Sequence, residues 1–174
     1  MKLRIVPIVV SLAVSALLLF GGWYAYQQWA VESPFESIVK KYEGVQQVQF
    51  DINQTTVTAK LELTAGSNLG EIVRQMEKDG KKWIGNRELK LVVKDNAPET
   101  LNDVWEEALF PVAQAMENKQ YTEITTTLDQ LQEKNSSLKA SADMDENNVY
   151  ITLTDAQGSK FIILPRVPQK MGVI

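Results

Sequence analysis

From Ile5 to Tyr26 the chain is almost wholly apolar and carries no charge, while from Ser33 onward apolar residues recur with helical or strand periods. At about 1.5 Å rise per helical residue, the first run matches the roughly 30 Å hydrocarbon thickness of a bilayer and predicts a transmembrane helix. Trp23, Tyr24, Tyr26 and Trp29 gather at its C-terminal end, where amphipathic rings favour the headgroup level, and Lys2 and Arg4 flank the other end. The positive-inside rule then predicts a signal anchor in a single-pass protein of a bacterial cell membrane, N-terminus cytoplasmic and C-terminal domain extracytoplasmic. The competing reading is a cleaved secretory signal, whose apolar region is normally about 7 to 15 residues before a small-x-small site. Here Trp23 precedes Ala25 and Gln28 precedes Ala30 at the positions where small residues are wanted.

Ser33-Pro34-Phe35-Glu36 reads as a helix start, with Ser as N-cap, Pro at the first helical position and Glu closing a capping box. Phe35, Ile38, Val39 and Tyr42 follow at helical spacing, and Gly44 ends the element. Val48, Phe50 and Ile52 alternate with Gln47, Gln49 and Asp51; after Asn53-Gln54, Val57, Ala59, Leu61 and Leu63 alternate with Thr58, Lys60 and Glu62, which predicts a hairpin. A second helix opens at Ser67, carries Leu69, Ile72, Val73 and Met76, and is expected to close at Asp79-Gly80. Leu89, Leu91 and Val93 then mark a third strand. Beyond Pro98 come a helix through Trp105 that Pro111 should kink, a shorter helix from Thr122 to about Lys134, and three strands. Of these, Leu138 to Met144 and Val149 to Thr154 alternate, whereas Phe161-Ile162-Ile163-Leu164 is continuously apolar and should be covered on both faces.

The pattern therefore predicts an α+β protein: an N-terminal transmembrane helix, then a two-layer helix/antiparallel-sheet extracytoplasmic domain of order αββαβ followed by ααβββ. The expected divisions are a cytoplasmic stub and anchor over 1–31, the α+β domain over 32–168 with subdomains 33–96 and 97–168 meeting near Pro98, and a loose tail over 169–174.

The 174 residues include no cysteine and no histidine. That excludes thiolate nucleophiles, a Ser-His-Asp relay, an imidazole base and ordinary zinc sites, so an enzyme would have to work with carboxylates, Lys, Tyr or Ser. Lys2 and Arg4 precede every acidic residue, which leaves the remainder with 16 basic against 22 acidic groups. Such a domain repels phosphate, and no nucleic-acid partner is expected.

Asp143-Met144-Asp145-Glu146-Asn147-Asn148 opens like a calcium loop, but the twelfth position is Thr154 where a bidentate Glu belongs, so a polar turn between strands is the expectation and no metal is assigned. Glu99, Asp103, Glu106 and Glu107 share one side of a helix opposite its apolar stripe and read as a solvated face. Trp105 falls within the stripe and reads as core. Trp83 is expected in the loop Lys81-Lys82-Trp83-Ile84-Gly85-Asn86, a candidate binding surface. Gln49 and Lys60 belong to the polar outer face of the first sheet and are the other candidate interaction residues. No catalytic residue and no cofactor are assigned.

The helix-strand-strand-helix-strand order of Ser33 to Asp95, with Tyr42-Glu43-Gly44-Val45-Gln46-Gln47-Val48 running from a helix end into the first strand, resembles the ring-building and BON-like modules of bacterial envelope proteins. The resemblance implies a role in protein-protein packing. Two functions are expected on these grounds. The first is a non-enzymatic, membrane-anchored interaction or assembly module, its partners the lipid bilayer and another envelope protein or its own copies. The alternative is an extracytoplasmic sensor or binding domain for a small ligand, or a carboxylate-based wall hydrolase.

Overall fold

A computed structural model describes residues 5–27, 33–94 and 97–167, with side chains omitted at 5–8, 23–27 and 33. The elements are α1 (Ile5–Gln27), α2 (Ser33–Val39), β1 (Val45–Ile52), β2 (Thr56–Leu63), α3 (Leu69–Ile84), β3 (Glu88–Val93), α4 (Glu99–Glu117), α5 (Tyr121–Lys134), β4 (Lys139–Met144), β5 (Asn148–Thr154) and β6 (Ser159–Pro165).

Among the described residues no helix is long and apolar enough to cross a membrane, which corrects the expected transmembrane anchor. The single-pass localisation, the cytoplasmic N-terminus and the extracytoplasmic placement of the domain rested on that span and are withdrawn with it. Of the flanking residues, Lys2, Arg4 and Trp29 lie outside the described residues, as do the side chains of Trp23, Tyr24 and Tyr26.

The first sheet has the order β1-β2-β3. Asn53 turns the β1–β2 hairpin: its carboxamide oxygen accepts from the amides of Thr55 and Thr56, at 3.0 and 2.8 Å. The sheet is not wholly antiparallel as expected, because β3 pairs with β2 in parallel. α3 carries the chain back to the starting end of β2, and only such a crossover permits parallel pairing. α2 and α3 bury Val48, Val57, Ala59 and Leu61 on one face, while among the described residues no helix is packed on the other.

α3 also runs past Asp79-Gly80, where it was expected to stop, to a C-cap at Gly85 with φ 62°. Gly80 lies inside the helix against Phe35, where a Cβ would come within 2.5 Å of Phe35 Cζ. Its lack of a side chain serves packing, and Gly85 supplies the positive-φ residue at the helix end.

The second sheet, β4-β5-β6, is antiparallel throughout. Two layers were expected; the structure has three here. α4 and α5 bury Val149, Ile151 and Leu153 on one face. The Leu69 and Val73 side of α3 covers Tyr150, Phe161 and Ile163 on the other. β5 is thus buried on both faces, with Tyr150 2% and Thr152 8% exposed. One helix therefore joins the two sheets, since Ile72, Met76 and Ile84 of α3 pack into the first core.

Candidate functional site

The helix-free face of the first sheet brings Gln49 and Lys60 together as cross-strand partners, with Val92 next in the same row across β3. The neighbouring row holds Gln47, Glu62 and Lys94, of which the last two form an ion pair at 3.0 Å. Trp83 does not join them. It sits in the last turn of α3 rather than in a loop, half-buried against the core on the opposite, helix-covered side. Its backbone carbonyl accepts from Arg87 at 3.2 Å, and Lys82 Nζ lies 5.3 Å from its ring centre. The hollow beside it is also lined by Gln54, Lys82, Gly85, Asn86 and Arg87.

The Asp143–Asn148 segment is a closed hairpin turn. Asp145 Oδ1 accepts from the amides of Asn147 and Asn148 at 2.7 and 2.8 Å, and Oδ2 accepts from the Tyr150 hydroxyl at 2.5 Å. Burial pushes the Asp145 carboxyl up, but these donors outweigh it and hold the group below its usual range. Burial, and then the bond to Asp145, push Tyr150 well above the usual phenol range. Asp143 faces Arg74 of α3 at 2.8 Å. Both carboxylates are thus engaged by protein groups, and among the described residues no cluster of three or more potential metal ligands occurs. Glu99, Asp103, Glu106 and Glu107 are all exposed, with Glu107 paired to Lys134.

The arrangement that sequence reasoning missed lies between α4 and β6. There Trp105, Leu109, Val112, Ala113 and Met116 of α4 face Leu164, Pro165 and Arg166 across a groove of about 360 Å³. Phe110, one residue on from Leu109 and one turn from Ala113, is 80% exposed, and Leu109 is 41% exposed. Pro111 stands beside them within α4; lacking an amide, it leaves the Glu107 carbonyl without its helical partner, which water can supply because Glu107 is exposed. At one end of the groove the Arg166 guanidinium stacks 4.8 Å from the Tyr121 ring centre and donates through one terminal nitrogen to the Asp145 carbonyl at 2.6 Å. Its Nε is buried and has no partner among the described residues. The available signal was Leu109-Phe110-Pro111: Phe110 departs from the helical stripe yet is large and apolar.

No protein-family model matches the chain and no curated protein matches it in sequence, so its role is read from this geometry.

Proposed function

We propose that this chain is a non-catalytic protein-docking module and that the α4–β6 groove is its docking site. The observation that carries the reading is Phe110, 80% exposed and next in sequence to Leu109, which lines a largely apolar groove. An exposed aromatic near an apolar hollow is the side-chain class that dominates binding energy in protein interfaces. The resemblance of Ser33 to Asp95 to envelope modules that pack against other proteins adds to a docking role, without locating the docking face. The mixed-charge face holding Gln49 and Lys60 is the weaker candidate, because its groups are as well satisfied by water as by a partner.

The test is site-specific photo-crosslinking in cells of origin. A photoreactive residue at Ala113, inside the groove, is expected to capture a defined protein, and Phe110→Asp is expected to cut that capture about tenfold or more, the loss of one hot-spot aromatic. Capture from Gln49 or Lys60 with none from Ala113 would move the docking site to the first sheet and overturn the assignment.

A further inference from the structure

β6 is an edge strand of the second sheet. At the two ends of its ladder with β5, Asp155 donates its amide to the Gly158 carbonyl and Arg166 donates to the Asn147 carbonyl. Between those ends the register is unbroken. Antiparallel bonding alternates along a strand, so Ile162 and Leu164 bond to β5 while Phe161 and Ile163 turn both N–H and C=O outward, and Pro165 turns out a carbonyl only. The opposite edge is managed differently: in β4 the Ala140 amide is capped by Gln132 Oε1 of α5 at 2.9 Å. Among the described residues β6 has no such cap and no bulge, and its sequence is apolar, which are the features of an edge open to strand addition.

We infer that the groove receives an extended segment of a different protein, which adds as a fourth strand to β6 and sets its alternate apolar side chains beneath Trp105, Leu109 and Phe110. This rests on the docking reading above. The charge pattern specifies the segment further. Of the residues that line the groove, Arg166 and Lys119 are basic and Glu117 is acidic, and Lys160, whose ammonium donates to Asn102 Oδ1 at 2.8 Å, stands at the other end of β6. The occupant is therefore an apolar strand with acidic ends. A second copy of this chain fits less well, because antiparallel pairing of two β6 strands sets Ser159 against the donor-less Pro165.

The probe is a synthetic peptide of about seven residues, a typical strand length, alternating valine and threonine between terminal aspartates. Amide hydrogen exchange is followed by NMR on the full chain. At peptide concentrations about ten times the dissociation constant, exchange at Phe161 and Ile163 is expected to slow about tenfold. Ile162 and Leu164, already bonded to β5, are expected to change little. Ile163→Pro deletes an outward donor without touching the β5 ladder and is expected to abolish binding. A peptide N-methylated at alternate residues makes the same test without altering the protein. A lysine-ended peptide should bind more weakly at low salt. Perturbation of Trp105 and Leu109 without protection of Phe161 and Ile163, or no binding at millimolar peptide, overturns strand addition. Neither result touches the docking reading, which stands or falls on the Ala113 crosslink.

Discussion

Gly80 and Phe35 illustrate how single residues set this structure. Phe35 is fully buried and stacks on Phe50 with ring centres 4.5 Å apart, so its ring has little room to retreat from a new methyl group. Alanine would gain about 1 kcal/mol of helix propensity, yet overpacking a close-packed site costs about 1 to 3 kcal/mol. Gly80→Ala is expected to destabilise the fold by about 1 kcal/mol in urea unfolding. A more stable variant would show that the Phe35 contact does not constrain α3. A second residue-scale expectation concerns pH. Glu77 is exposed as a residue, but partial desolvation of its carboxyl and the nearby charges of Asp145 and Glu146 raise its pKa. The folded state thus binds this proton more readily than the unfolded one, and stability should rise as pH falls from neutral toward the ordinary glutamate value of about 4.3. Asp145 acts oppositely. Its lowered pKa stabilises the fold above the ordinary aspartate value of about 3.9, and that contribution is lost as pH falls through the folded pKa. Melting midpoints across pH should therefore pass through a maximum in mild acid, and Glu77→Gln should flatten only the neutral side. An unchanged neutral limb in that variant would remove Glu77 from the account.

Among the elements, α3 carries the most consequence. Its apolar stripe divides, Ile72, Met76 and Ile84 facing the first sheet and Leu69 and Val73 the second. Val73→Ala removes two methyl groups from a position 1% exposed between α3 and the second sheet, and should cost about 2 kcal/mol, measured by urea unfolding. A cost near zero would mean that α3 and the second sheet are not packed as described. None of the described side chains of α1 belongs to the three buried clusters.

For the whole molecule, a shared helix couples the halves. If α3 leaves either sheet, it exposes the apolar face of both, so the two sheets should unfold in one transition. Trp83 reports on the first core and Trp105 on the second. Variants that keep only one of these two tryptophans, with the others changed to phenylalanine, are expected to show the same urea midpoint by fluorescence. Separated midpoints would make the sheets independent units.

The strands of both sheets and four of the helices after the first run were legible because their apolar periods of two and three to four are imposed by local backbone geometry. Phe161 to Leu164 announced burial on both faces for the same reason: no wet face interrupts the run. β5 did not announce it, since Tyr150 and Thr152 read as polar positions although the tyrosine ring is mostly apolar surface and its hydroxyl finds Asp145. Nor could spacing reveal that β3 runs parallel to β2, because strand direction depends on where the crossover helix delivers the chain. The groove was invisible for a related reason. Leu109 and Leu164 are distant in sequence, and only packing α4 beside the edge of β6 creates a hollow between them. The expected anchor is corrected in turn, since among the described residues no helix is long and apolar enough to cross a membrane. Local periodicity is written in the residues, whereas which faces meet, and which edge is left open, depends on contacts between residues far apart in the chain.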